Sequence, residues 1–215
     1  MTVKPTSFLV LLAIVGVSAT GLAVAPSAPP ALPPGSVGAD HTMSFDRIQV
    51  EGPIRAVVRI GPRHAVAPEV PGSVRVTIAD GVALISPAAG SSQPQEVAIF
   101  LPRLEALTVD HGGHVSIHNM VRSGEILFTV RDGGEIKAEG IADQVRVEIR
   151  GSGSADLAAL KAETASAKVE GSGTIRIFAS NALAASVSGD GMVEYAGDPR
   201  NLAQAVSGTG TIKRY

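Results

Sequence analysis

Cysteine and tryptophan are both missing from this 215-residue sequence, and aromatic residues make up only 3% of it. Without cysteine the chain can form no disulfide, no zinc–thiolate site and no thiol nucleophile. With so few rings, the core must be built from valine, isoleucine, leucine and alanine, which suits thin stacked layers. The net charge is −2 and the basic residues are scattered, so composition gives no basis for a nucleic-acid partner.

Glycine, by contrast, is abundant, and it recurs with a period through the second half of the chain. The clearest unit is Gly171-Ser172-Gly173-Thr174-Ile175-Arg176-Ile177. The second glycine of each unit marks intervals of 18 to 21 residues: Gly113, Gly134, Gly153, Gly173, Gly191 and Gly210. A fixed period of this length indicates a solenoid, in which each unit buries its apolar face against its neighbours.

Aliphatic residues alternate on both sides of each glycine corner, which predicts a strand, a sharp turn and a second strand. A coil this short has no room for a helical crossover, so the unit is all β. Three aliphatic columns are expected to point inward. They comprise Val109, Val130, Ile149, Val169, Val187 and Val206, then Val115, Ile136, Ala155, Ile175, Val193 and Ile212, and then Ile117, Ala138, Leu157, Ile177 and Tyr195.

Charges occupy one outward position, three residues after the marker glycine, and alternate in sign from coil to coil. The series is Ser116, Lys137, Asp156, Arg176, Glu194 and Lys213. If equivalent positions stack in register, about 4.8 Å apart, each charge lies between two of opposite sign. Glu148 and Lys168 form a similar neighbouring pair. Such exposed pairs contribute little energy, so we expect the ladder to set register more than stability.

The N-terminus has the layout of a secretory signal peptide. Residues 1–25 carry one basic residue, an apolar run and then small residues, with cleavage expected after Ala19 or after Ala25. An uncleaved membrane anchor is the alternative, since the uncharged stretch approaches the length needed to span a bilayer. Both interpretations export the chain, to the periplasm or the cell surface. A proline-rich linker is predicted at 26–41.

A single β-solenoid domain is predicted over 42–215, with an irregular N-terminal β layer at 42–106 and regular coils at 107–215. Asp80-Gly81 is a tight-turn signal and predicts a hairpin within the layer. The layer's other expected strands are 45–50, 54–60, 74–78, 82–85 and 97–101.

Three motifs follow one another in a fixed order along the chain. They are Phe45-x-x-Ile48-x-Val50-x-Gly52, Pro102-x-Leu104-x-x-Leu107 and Gly-Ser-Gly-x-Ile units ending in Gly208-Thr209-Gly210-Thr211-Ile212. This order resembles that of a known family, the putative auto-transporter adhesin, head GIN domain family, over about residue 43 to the end. Two units depart from the pattern, reading His111-Gly112-Gly113 and Asp132-Gly133-Gly134. The resemblance implies a right-handed parallel β-helix that is exported, with no established activity and no catalytic or metal residues to carry over.

No catalytic, cofactor-binding or metal-binding residue is assigned from the sequence. His111, His114 and His118 lie close together, but His114 and His118 are four residues apart on a strand, too far apart for one ion. His111 and His114 could converge across the turn, and the sequence leaves that metal site open. Solvated corner residues are the favoured interpretation of all three.

The function predicted is that of an exported, non-catalytic envelope protein with an adhesion-like binding or scaffolding role. Its candidate partners are a polysaccharide or an envelope protein. The rival is a carbohydrate-active β-helix enzyme, a lyase or a hydrolase, which would need clustered charges and gains little from a surface without aromatic platforms. Arg214 takes the inward position in the final unit and is expected to reach water, disfavouring end-to-end assembly and leaving a monomer or a weak self-associate.

Overall fold

The structure is a computed structural model that describes residues 37–38, 44–89 and 93–215. The predicted signal peptide lies outside these residues, as does most of the predicted linker. Every regular element in the described ranges is a β-strand. Among these residues there is no helix long and apolar enough to cross a membrane.

All of the described strands belong to one sheet. Its central strands follow the turns of the solenoid. The strands are β1 (Val37–Gly38), β2 (Arg47–Glu51), β3 (Ile54–Ile60), β4 (Ala65–Pro68), β5 (Val74–Ala79), β6 (Val82–Pro87), β7 (Gln95–Leu101), β8 (Ala106–Asp110), β9 (His114–Arg131), β10 (Glu135–Gly151), β11 (Ser154–Gly171), β12 (Thr174–Gly189), β13 (Met192–Ala196), β14 (Asn201–Ser207) and β15 (Thr211–Arg214).

The regular coils stack in parallel, as the glycine period predicts. β9, β10, β11 and β12 pair successively, each with the next. The first part of β12 pairs with β13 and the second part with β14, and β13 then pairs with β15. The predicted β-solenoid of about 20-residue coils is confirmed.

The N-terminal layer contains coil strands whose spatial order differs from their order in the sequence. β2 pairs in parallel with both β6 and β8, and β3 pairs in parallel with both β7 and β9. The coil made of β2 and β3 therefore lies between the coil made of β6 and β7 and the first regular coil. Antiparallel strands β4 and β5 cover the outer coil, and β5 forms the predicted Asp80-Gly81 hairpin with β6.

β1 and β4 were not expected from the sequence. Val37 and Gly38 lie within the predicted linker, yet they pair with Val66 and Ala65. β4 has no alternation, since Ala65–Pro68 is buried at every position. A short, uniformly apolar segment carries no period-two signal, so sequence patterning does not detect it.

The interior of the solenoid is filled by the aliphatic columns. In the two columns on either side of the corner, the members from Val109 to Val187 and from Val115 to Val193 are at most 2% exposed. The third column is equally buried from Ile117 to Ile177. Each of these side chains is covered by the coil above it and the coil below it. Stacking therefore removes apolar surface from water, which is the main favourable contribution to folding.

The two glycines of a corner have different tasks, as Gly171 and Gly173 show. Gly171 has φ +121°, a backbone conformation that side chains rarely tolerate. Gly173 is needed for close approach, because a Cβ there would lie 2.5 Å from Ile149 Cγ2 and 2.8 Å from the Gly153 carbonyl oxygen. In the two divergent corners the first residue is instead His111 or Asp132, with φ 55° and 52°.

The charge ladder stacks in register, which confirms the prediction. Lys137, Asp156, Arg176, Glu194 and Lys213 are successive Cα partners on adjacent coils. Arg176 lies 3.6 Å from Asp156 and 3.3 Å from Glu194, and Lys213 lies 3.0 Å from Glu194. The sequence offset from glycine was therefore enough to place these side chains.

The last coil in the stack leaves its aliphatic columns partly open. Leu202 and Val206 are 45% and 49% exposed, although their partners Leu183 and Val187 are buried. Arg214 pairs with Tyr195 in the inward column, as expected, and its guanidinium reaches solvent and lies 3.5 Å from Asp198.

Replacing Gly173 by alanine is expected to destabilise the fold by about 2 kcal/mol, because the new methyl overlaps the backbone of the preceding coil. Urea unfolding monitored by circular dichroism gives the change. The matched control is Gly124→Ala, where a Cβ meets nothing within 4 Å. Equal stability of the two variants would show that the corner does not require close approach.

Charge reversal in Arg176→Glu places three acids in succession with Asp156 and Glu194. The free energy of unfolding should fall by about 1 kcal/mol at low salt, and by less at high salt because these groups are partly exposed. Arg176→Gln removes the attraction without adding repulsion and should fall between wild type and Arg176→Glu. A melting temperature that the reversal leaves unchanged at low salt would contradict a register-setting role.

Candidate functional site

Outward charges on the other long face of the regular coils are paired with one another. Glu148 and Lys168 are register partners, as the sequence predicts. Lys168 lies 2.6 Å from Glu170, and Arg150 lies 3.4 Å from Glu170 and 3.7 Å from Glu148. The hydrogen bond from Lys168 is the main cause that lowers the pKa of Glu170 below its ordinary value. This network, like the ladder, neutralises its own charge.

A shallow recess of about 400 Å³ lies beside that network. Its floor is made of small side chains, among them Ala184, Ser186 and Ala203. Its charged wall includes Arg146 and Lys168, which already contact Glu125 and Glu170. The recess therefore presents a flat floor with little free chemistry.

Each of the three clustered histidines faces a carboxylate of the following coil. The separations are 3.8 Å for His111–Asp132, 3.3 Å for His114–Glu135 and 2.8 Å for His118–Glu139. His114 also contacts the Gly112 carbonyl oxygen at 3.1 Å.

In-register stacking assigns these three histidines to separate partners instead of bringing them together. Within the part of the chain that the structure describes, no group of three or more histidine, aspartate or glutamate side chains is placed to hold a metal ion. His111 and His114 are exposed, and His118 is partly exposed on its strand.

Among the described residues, one charged side chain is buried. It is Asp110, which is 5% exposed. Gln49 donates a hydrogen bond to its Oδ2 at 3.3 Å, and Arg131 lies 3.8 Å from its Oδ1. Gln49 also donates to Glu51 at 2.9 Å, so one amide holds two carboxylates together. Since Asp110 lies beneath these neighbours at a coil corner, we interpret it as a link between coils.

The serines of the glycine corners are structural. Ser152 and Ser172 are exposed at successive turns. The Ser172 N–H donates to the Gly151 carbonyl oxygen at 3.0 Å, in the bonding that joins one corner to the next. Neither serine lines the recess described above, and both occupy equivalent positions on repeated turns.

A larger groove, of about 650 Å³, lies where the coils carry β-bulges. Register shifts fall between Lys137 and Glu139, between Leu157 and Lys161, and between Ala162 and Thr164. Beyond the shifts, Ile141 pairs with Lys161 and Lys161 pairs with Phe178. The groove is lined by Ile141, Ala142, Asp143, Lys161, Ala162, Glu163, Phe178, Ser180, Asn181 and Arg200.

Apolar surface is exposed along this groove, contrary to the expectation of a surface without aromatic platforms. Phe178 is only partly buried, and the Lys161 ammonium lies 4.0 Å from the centre of its ring. Ile141 is 54% exposed, and Val121, in the bulge of the neighbouring coil, is 73% exposed. The sequence does contain a signal for this groove. Ile141 and Phe178 are apolar residues at outward positions of their strands, where alternation predicts polar side chains.

Family comparison agrees with the resemblance seen in the sequence motifs. The profile described as putative auto-transporter adhesin, head GIN domain, matches residues 44–199. Comparison with curated proteins finds no match.

Solved structures with the same fold come from several bacteria. A putative adhesin from Bacteroides fragilis NCTC 9343 shows a TM-score of 0.64 at 19% identity, covering 84% of this chain and 95% of its own. A putative lipid binding protein from Parabacteroides distasonis ATCC 8503 shows 0.52 at 16% identity, with coverages of 84% and 96%. A putative adhesin from Parabacteroides merdae ATCC 43184 shows 0.52 at 18% identity, with coverages of 84% and 94%. At these identities the likeness concerns the fold.

Proposed function

The chain belongs to the putative auto-transporter adhesin, head GIN domain family, and on that premise we propose that it is an exported envelope protein that binds a partner through its outer surface without catalysing a reaction. The observation that carries the proposal is that many outward charges of the regular coils are paired between coils, as in Asp156–Arg176–Glu194 and Arg150–Glu170. What is left for recognition is the shape and the exposed apolar surface of a long, ridged stack.

Export is supported by the composition of residues 1–25, which has the layout of a signal peptide. The adhesin descriptions of the structural neighbours point in the same direction.

The enzymatic rival, a polysaccharide lyase or hydrolase, needs a base and clustered acids or a cation beside one sugar unit. The described grooves offer charges of both signs side by side, and the buried carboxylate Asp110 is held by Gln49 and Arg131. This arrangement favours binding over proton abstraction.

One neighbour is described as a putative lipid binding protein, which makes lipid a second candidate ligand. The interior of this chain's coils is filled by apolar side chains with at most 3% exposure. A lipid would therefore have to lie on the outer surface, where the exposed apolar side chains are few and interspersed with charges. A polysaccharide or an envelope protein fits such a surface better.

Export and binding can be tested together with the full chain, expressed in a bacterial host with a C-terminal tag. We expect the tag outside the cytoplasm, a mature N-terminus after Ala19 or Ala25 if the signal is cleaved, and retention of the purified protein on cell envelopes. A cytoplasmic tag, or no retention on any envelope, would contradict the proposal.

Catalysis has its own test, in which the purified protein is incubated with uronate-containing and neutral polysaccharides. We expect no release of unsaturated or reducing ends above that from buffer. Release that is lost on substituting outward charged residues would establish the enzymatic rival instead.

Self-association is expected to be weak, because Arg214 sits in an aliphatic column of the edge strand β15 and pairs with Asp198 at 3.5 Å. Replacing it by isoleucine removes a charge that opposes strand-to-strand association. Sedimentation velocity should show a monomer for wild type and new self-association for Arg214→Ile. Filaments of wild type, or an oligomer that the substitution dissolves, would refute the protective role.

A further inference from the structure

The groove at the β-bulges has a floor in which one lysine lies between two apolar side chains. Ile141, Lys161 and Phe178 are successive register partners, so their side chains follow one another at the spacing of adjacent strands, about 4.8 Å. Lys161 lies between the two apolar residues, and its side chain extends towards Phe178. Its ammonium, 4.0 Å from the Phe178 ring centre, adds a hydrogen-bond donor to the strip.

The rim of the groove is polar but has no excess of one charge. Lys161 and Arg200 supply two cations, and Asp143 and Glu163 supply two carboxylates. Ser180 and Asn181 add a hydroxyl and an amide, and the Ser180 hydroxyl donates to the Ala162 carbonyl oxygen at 3.3 Å. The rim can thus both donate and accept hydrogen bonds around an apolar strip.

We propose that this groove binds an uncharged oligosaccharide whose chain runs along the axis of the solenoid. A pyranose ring has an apolar face of C–H groups and a rim of hydroxyls that donate and accept, which matches an apolar floor with a mixed polar rim. The balanced rim charge selects a ligand without net charge. Consecutive rungs, one per coil, place Ile141, Lys161 and Phe178 in turn along the path of successive sugar units. The inference rests on the proposed binding function and assigns it a ligand class.

Other ligand classes fit the groove less well. The carboxylates of a polyuronate would face the like charges of Asp143 and Glu163. A rim that favours a polyuronate would need an excess of cations. A lipid surface or acyl chain calls for a larger contiguous apolar patch than three or four side chains provide. A protein partner would need a wider interface than this groove.

The test uses isothermal titration calorimetry of the full exported chain with cellohexaose, chitohexaose and maltohexaose, and with hexagalacturonate as the anionic probe. At least one neutral hexasaccharide should bind, with an affinity that changes little with salt. Ile141→Ser and Phe178→Ala should each weaken that binding by about tenfold. The matched control is Leu127→Ser, an exposed aliphatic on the opposite long face, 37% exposed, which should bind as wild type does.

Ile141 is exposed, so Ile141→Ser should fold, and an unchanged melting temperature checks this. Rim variants Asn181→Ala and Arg200→Ala should also weaken binding without altering the melting temperature. The proposal is overturned if no neutral hexasaccharide binds at millimolar concentration, if groove variants bind like wild type, or if hexagalacturonate binds more tightly. Wild-type protein that is retained on envelopes while every neutral hexasaccharide fails would refute this inference and leave the proposed function standing.

Discussion

The in-register parallel pairing of coils is the constraint on which the rest of this structure depends. Once backbone hydrogen bonds hold neighbouring coils about 4.8 Å apart, every residue stacks on its counterpart above and below. An inward position that has a coil on both sides must then be apolar, and the turns between strands must be tight. Gly173 illustrates the second requirement, since the corner beneath it leaves no space for a methyl group. The repeat in the sequence is the consequence of this geometry.

Electrostatics follows from the same pairing. Like charges in one column would repel at every step, so a stack of this kind carries alternating or paired charges, as in Asp156–Arg176–Glu194. The His118–Glu139 contact obeys the same logic on another strand. A surface that neutralises itself in this way has little long-range field to attract a charged partner. Recognition is left to shape and to exposed apolar groups.

The regular coils could be predicted from the sequence because a constant offset from glycine fixes both strand face and coil partner. The ladder from Lys137 to Lys213 was placed by that offset alone. The N-terminal coils could not be ordered, because β2 stacks between β6 and β8, and sequence adjacency carries no signal of such an insertion. The binding groove was missed for a related reason. Lys161 and Phe178 are partners at a separation of 17 residues, not 20. The bulge between Leu157 and Lys161 leaves three residues of β11 without a partner on β12, which shortens the separation.

The same bulges explain why the candidate site lies where it does. In the regular parts of a coil an outward side chain must suit the side chains directly above and below it, and this requirement favours paired charges and small residues. A bulge adds residues to one strand and so changes which side chains meet on the next coil. Ile141 and Phe178 keep the outward positions of the alternation, since their neighbours Ala142 and Ala179 are buried, and the register shifts set both of them beside Lys161. Irregularity in an otherwise repetitive stack thus allows a local surface to differ from the rest, and a specific ligand requires that difference.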